Sequence, residues 1–381
     1  MAFISWLKRA AYPARASSKK RSAVRLCAEL LEARELPSGV PQLLLVRPGD
    51  PHAFQTIQSA VNAAQPGDKI EIFGGTYKEA VNVSTPDLTL FGVPDASVKI
   101  QNPAKAMNGF TVGSRNGSSL DGFRLANVTV SGFVSDGVFL TGVTDFVLSH
   151  VTARNNGEYG LFPVLSSHGV IKYSTASGSN DTGIYVGQSS NISVHGNSVY
   201  NNTNGIEIEN STHVKATFNT VYNDTVGVLV DLLPGFPIAF EVSSHNLVAN
   251  NIVFDNNRAN TADPGDIASV EPPGAGIAIV GGDHNVVQAN LVFGNEFAGI
   301  AVLSGNDLLA LAPPGTPPYP VGVDPNENDT LVEMNIVLGN GFLKSVPPGF
   351  PQPADLIWTG TGTNNHWKNN IFQTSTPLQL P

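Results

Sequence analysis

A single cysteine, Cys27, stands in 381 residues, which excludes an internal disulfide framework and any cysteine-based metal cage. Charged residues are scarce as well, at 14%, too few for a helical repeat and low for a disordered chain. No apolar run approaches the length of a membrane span. The one at the start, AFISWL at 2–7, is shorter than a secretory h-region. Basic side chains are nearly missing from the body. Eight of the 21 fall in the first 36 residues, which leaves 13 basic against 28 acidic residues beyond them. A body so acidic lacks the footprint expected of a nucleic-acid or anionic-membrane partner.

What is present is glycine, proline and asparagine in a regular beat. The 38 glycines and 27 prolines mark many turns. Gly160, Gly183, Gly205 and Gly227, each followed by an alternating apolar triplet, stand 23, 22 and 22 residues apart. Alternation inside a period near 22 means one solenoid rung per repeat, with neighbouring rungs about 4.8 Å apart. A solenoid grows along one axis without a second core, so residues 41–381 read as one domain. The fold expected is all-β, a parallel β-helix of about 22–23 residues per rung, behind a basic segment at 1–40. A strand at 43–46, a short helix at 56–64 with Ile57, Ala60, Val61 and Ala64 on one face, and a strand at 69–73 open the body. Such a helix covers the solenoid's exposed apolar end.

The register separates structural columns from the remainder. Eight residues after each leading glycine stand Asp145, His168, Asn191 and His213, joined across insertions by His245, His284, Asp329 and Asn364. Three histidines on consecutive rungs have the spacing to hold a metal. Asn, Asp and His are also the non-glycine residues most tolerant of the left-handed conformation that sharp turns need, which accounts for the whole column. A second column, Asn197, Asn219, Asn251, Asn290, Asn335 and Asn370, reads as stacked amides bonded to each other and to the turn backbone.

Extra residues enter near 232–244, 255–275 and 305–328 and are rich in Pro and Gly. Long loops in a compact repeat tend to be functional, and here they would wall one face. If Ile206 and Ile208 point inward, Glu207 and Glu209 point outward beside Asp231. Phe139, Phe162 and Tyr185 then line up as an aromatic track, and Lys172 and Lys215 are the bases nearest in sequence. Paired carboxylates suit general acid–base work or Ca²⁺, and aromatics suit sugar rings. A solvated acidic strand beside stabilising aromatic stacking is the plainer reading of the same residues.

The opening helix and strands, ending in Gly75-Thr76-Tyr77-Lys78-Glu79, are similar to the start of pectin methylesterases and other pectate-lyase-like right-handed parallel β-helix proteins. The resemblance implies right-handedness and a polysaccharide context. Its members' active-site motifs are missing here. Asp145-Phe146-Val147 is followed by Leu148-Ser149 where the esterases have Gly-Asn, and there is no Arg-x-Trp. Ser167-His168-Gly169 falls short of the polygalacturonase Gly-His-Gly, and Asp50-Pro51-His52 is followed by Ala53 where mannuronan epimerases have Asp. Residues 137–297, with Gly183-Ile-Tyr-Val-Gly-Gln-Ser and Gly205-Ile-Glu-Ile-Glu-Asn-Ser, resemble exported bacterial β-helix-repeat proteins of unestablished role. The segment LEARELPSG at 31–39 resembles the one that follows a basic stretch in exported planctomycete proteins, which implies an extracellular or cell-surface location.

Two functions remain open. One is a polysaccharide lyase or epimerase with Glu207, Glu209 and Asp231 as catalytic groups, and Tyr185, Phe162, Phe139, Lys172 and Lys215 on the substrate. The other is a non-catalytic surface module for glycan or protein. A monomer is expected; no metal ligands are assigned, and Ca²⁺ is the candidate cofactor.

Overall fold

The computed structural model describes residues 40–114, 117, 119–235, 241–346 and 349–381; the basic N-terminal segment with its export-like stretch lies outside them. Every rung contributes one strand to an eleven-stranded parallel sheet that runs from Val81–Val83 to Ser375–Thr376. The rest of each rung belongs to a twenty-stranded sheet with two strands per turn. In two rungs those two are one long strand, Arg124–Ser131 or Val147–Arg154, creased where Asn127 and His150 adopt φ of 57° and 54°. Later rungs are cut in two at the same crease, as in Lys215–Thr217 and Thr220–Tyr222 on either side of Phe218 at φ 56°.

Left-handed residues make the other corners too. Asp145, His168, Asn191, His213, His245, His284, Asp329 and Asn364 all have φ between 53° and 58°. A corner needs such a residue because the chain must reverse its curl without a helical turn, and short polar side chains carry that conformation at least cost. The rings of His213 and His245 stack at 5.1 Å and 6°, and His284 follows at 4.8 Å. Among the described residues no group of three or more His, Cys, Asp or Glu is arranged to hold a metal.

The core is a set of identical columns. Ile184, Ile206, Val228, Ile277, Ile300 and Leu356 succeed one another in register, all fully buried. Val199, Val221, Val253, Val292 and Val337 face them from the other sheet. Burying each such side chain contributes roughly 1.5–3 kcal/mol. Polar columns satisfy the turns between. Asn197 Nδ2 donates to Asn219 Oδ1 at 3.0 Å, and the same bond repeats from Asn219, Asn251, Asn290 and Asn335 to the next asparagine. A second polar column, outside the sequence-based expectation, runs Asn202, Asp224, Asn256, Asn295, Asn340, Asp355.

That second column explains the glycine beat. A Cβ on Gly205 would lie 2.5 Å from Gly227 O and from Val221 Cγ1, and 2.6 Å from Asp224 Oδ2. The leading glycine is required by space, since its backbone rests directly on the polar column and on the glycine of the next rung. At the N-terminal end the helix Ile57–Ala63 buries Ile57, Ala60 and Val61 over the first rung, capped by Thr56 Oγ1, which accepts from Ser59 N at 3.1 Å. None of the helices among the described residues is long and apolar enough to cross a membrane. Stacked parallel strands, few helices and a capped end make this a parallel β-helix.

Candidate active site

Strand alternation delivers the acidic residues where the pleat predicts. Ile206 and Ile208 are fully buried in the core, while Glu207 and Glu209 stand on the opposite face of strand Asn204–Glu209. Register sets Glu207 between Tyr185 and Leu229, and Glu209 between Gly187 and Asp231. Gly187 matters because its missing side chain leaves room for the Tyr185 ring to lie across it. From there the tyrosine hydroxyl donates to Glu209 Oε2 at 2.6 Å.

The cluster is larger than Glu207, Glu209 and Asp231. Asp181 precedes one strand, and Glu271 enters from the second inserted loop. Asn204 Nδ2 donates to Glu207 Oε2 at 3.2 Å and to Glu271 Oε1 at 3.3 Å. Thr182 Oγ1 lies at 3.1 Å from Asp181 Oδ1 and also bonds Glu207 Oε2. The single hydroxyl proton of Thr182 is shared between the two carboxyl groups. Glu209 Oε1, Asp231 Oδ1 and Glu271 Oε2 have no hydrogen-bond partner.

Burial dominates the electrostatics. Glu207, Glu209 and Asp231 are 6%, 3% and 1% exposed, and no salt bridge reaches any of them among the described residues. Burial first, then the charge of Glu209, pushes Glu207 up to about 8. Glu209 rises to about 7, again through burial, with the Tyr185 bond opposing the rise. Burial and the neighbouring carboxyls hold Asp181, Asp231 and Glu271 well above the usual carboxyl range. Near neutral pH the site therefore mixes carboxylic acids with carboxylates, the requirement for moving protons both ways. Its hard oxygens match Ca²⁺ in chemistry, but no three of the described acids are arranged to hold a metal.

Two parts of the expected site are placed differently. The aromatic track is closed: Phe139, Phe162 and Tyr185 are at most 8% exposed. Tyr159, from the turn before strand Leu161–Val164, packs on Phe162 and Tyr185 at 4.4 and 4.8 Å and occupies the faces a sugar ring would need. Lys172 and Lys215 end and begin strands of the twenty-stranded sheet, on a different side of the rung. The corner at His168 or His213 turns the chain away before either lysine is reached. Thr182 and Asn204 were detectable as the residues just before leading glycines, paired in register. Glu271 had no such signal, because it sits in an inserted loop.

Beside the cluster the same face hollows into a cavity of about 540 Å³. Small residues make the room: the column of Leu229 continues as Ala278 and Ala301, and that of Val226 as Ala275 and Ala298. The second and third insertions supply walls, through Glu271 and Pro272 and through Leu308 and Leu311, with Phe350 and Trp358 opposite. Trp358 is fixed by its Nε1–H, which donates to Glu327 Oε1 at 3.2 Å and Thr361 O at 3.1 Å.

The fold has known counterparts. Among solved structures the chain is similar to the A-module of Azotobacter vinelandii mannuronan C-5 epimerase AlgE4. The TM-score is 0.56 at 15% identity, over 84% of this chain and 92% of that one. It is likewise similar to the AlgE6 A-module of the same organism, at TM-score 0.51 and 17% identity over 84% and 92%. The Agl-KA catalytic domain matches at TM-score 0.53 and 14% identity, over 83% of this chain and 62% of that one. No curated protein matches the sequence. The family model described as a right handed beta helix region matches residues 98–233 and 136–311, more than half of the chain. The chain belongs to the right-handed β-helix family.

Proposed function

We propose that the protein binds a polysaccharide along the loop-walled face of the eleven-stranded sheet and processes it by proton transfer, as a lyase or epimerase, outside the cell or at its surface. The observation that carries this reading is the pair Glu207 and Glu209. They lie two residues apart on one strand, held near about 8 and about 7, with one oxygen of Glu209 free of any partner. In such a reaction Glu209 takes the proton from the sugar carbon beside a carboxyl group, and the bond's electrons delocalise into that carboxyl. Return of a proton to the opposite face gives the epimer. If instead the electrons expel the glycosidic oxygen, Glu207 protonates it, leaving an unsaturated sugar and a new hydroxyl. Two similar folds are by name mannuronan C-5 epimerases, which supports a polysaccharide substrate.

Access requires the cover over the site to open, since all three carboxyls are nearly buried. That burial favours a second reading, glycan binding without chemistry. One experiment separates them: a polysaccharide panel followed by ultraviolet absorbance of unsaturated product, by epimer composition and by glycan retention, with Glu207→Gln and Asp231→Asn alongside the wild type. Turnover lost in both variants, with the circular dichroism spectrum of the fold kept, supports catalysis. Retention without product supports the second reading, and neither retention nor product removes carbohydrate altogether.

A further inference from the structure

The outer face of the twenty-stranded sheet is apolar toward its C-terminal end. Strands Ile252–Phe254, Leu291–Phe293 and Ile336–Leu338 turn only their middle valine into the core, so two rows of apolar side chains stand outward. One row is Ile252, Leu291, Ile336 and Ile371, in register and between 39% and 58% exposed. The other is Tyr200, Tyr222, Phe254 and Phe293, stacked at 5.0, 5.2 and 5.1 Å with ring planes within 17° of each other. No outward position on these strands or on Thr220–Tyr222 carries a charge, in a chain of net charge −10. At the crease beside them Phe218 and Met334 are exposed at φ of 56° and 55°, a conformation that bulky residues rarely take. Strain and exposure at one place point to function rather than to packing. At these exposures the face presents on the order of 700 Å² of apolar surface, more than a monomer ordinarily leaves bare and near the roughly 800 Å² per partner of a stable interface.

We propose that this face joins two copies of the chain into a two-fold homodimer, in place of the monomer expected from the sequence. The rings argue against a sugar as the occupant. Tyr222 and Phe254 each have a neighbouring ring on both sides and offer their edges, whereas sugars stack on ring faces. Shape chooses the second copy. The two rows form a comb with a tooth at every rung, about 4.8 Å apart, and a partner that meshes with it must carry the same period in two rows. Another copy does so by construction. A two-fold axis in the interface, parallel to the stacking direction, sets the aliphatic row of each copy against the ring row of the other, so the contact closes on itself. Charge agrees, because two acidic chains approach with least repulsion through a face that carries none. The contact lies on the twenty-stranded sheet and leaves the acidic face of the eleven-stranded one clear, so it does not depend on the polysaccharide reading.

The test is sedimentation velocity of the full chain at about 50 µM, above the micromolar weak end of affinities for interfaces of this size. The wild type should sediment at twice the mass of one chain. Leu291→Thr with Ile336→Thr places at both sites the residue that Thr220 already supplies in an earlier rung, so the strands are kept. Each substitution counts twice in a two-fold contact, and the pair should weaken the dimer at least about 100-fold. Leu291→Lys with Ile336→Lys should leave only monomer, with circular dichroism as the check on folding. Thr217→Lys, across the crease on strand Lys215–Thr217, should remain dimeric. A wild type that is monomeric at this concentration, or a dimer that both substituted pairs leave intact, would overturn the proposal. So would a monomeric wild type that binds phosphatidylcholine vesicles through the same residues, which would assign the face to a lipid surface.

Discussion

Replacing Asp224 by asparagine should stabilise the protein, and by an amount that grows with pH. Asp224 is fully buried in the polar column beneath Gly205. Its Oδ1 accepts from Asn202 N at 2.6 Å and Asn202 Nδ2 at 3.0 Å, while Oδ2 has no partner. Elsewhere in the column an amide fills that place: Asn256 Nδ2 donates to Asn295 Oδ1 at 3.1 Å, and Asn295 Nδ2 to Asn340 Oδ1 at 2.8 Å. Asn256 Oδ1 already accepts from Asp224 N at 3.1 Å, so an asparagine at 224 would add the missing second bond to it. A buried bond of that kind contributes about 1 kcal/mol net.

Protonation has the greater effect. Burial raises the Asp224 carboxyl well above its ordinary value of 3.8, with the Asn202 bonds and Arg258 opposing it. Above that ordinary value the native state holds a proton that the unfolded chain has lost, so stability declines as pH rises. The slope is up to about 1.4 kcal/mol per pH unit, and it continues until the raised native value is reached. Near pH 4 the protonated acid can donate to Asn256 itself, and the two proteins should melt nearly together. Scanning calorimetry at matched scan rates should show the Asp224→Asn variant pulling ahead as pH rises above about 4, by a few degrees per unit. A variant that melts below the wild type at pH 7, or ahead of it by the same margin at every pH, would refute this account of Asp224.

Two further outcomes follow from the packing and the acidic site. Gly205→Ala should lower the melting temperature, at a cost of about 1–3 kcal/mol, because its Cβ has backbone 2.5 Å away in the next rung; an unchanged melting temperature would mean that the rungs are not in contact there. Glu207 and Glu209 are raised from 4.5 to about 8 and about 7. Their neutral forms favour the native state, so this contribution is complete below about pH 4.5 and is lost as pH climbs toward 8. Glu207→Gln should therefore raise the melting temperature at pH 8 and leave it unaltered at pH 4. The same shift at both pH values would show that the carboxyl titrates normally.

How much of the molecule is legible in its sequence follows from the range of each interaction. The corner column repeats once per rung, and each member answers a local demand of its own backbone. Eight residues of three types could accordingly be assigned to turns by spacing alone, and all eight have positive φ. The leading glycines were equally visible as a period. Their cause was not, because the clash that excludes a Cβ comes from the following rung and from the Asp224 column. The side-by-side placement of Glu207, Glu209 and Asp231 followed from pleat parity and register. The side of the rung on which Lys172 and Lys215 stand was not legible, because linear distance from the strand says nothing about a corner passed on the way.

Sequence by itself determined the solenoid, its rung length, its cap and the alignment of three acids, since periodic parallel stacking converts spacing directly into neighbourhood. Tertiary structure alone decided that the aromatic track is closed by Tyr159 and that Asp181 and Glu271 join the acids. It also decided that alanines hollow the adjoining face. Those features depend on turns and inserted loops, whose positions no period encodes. Burial then does what adjacency could not, lifting the carboxyls into the range where their protons can be exchanged near neutral pH.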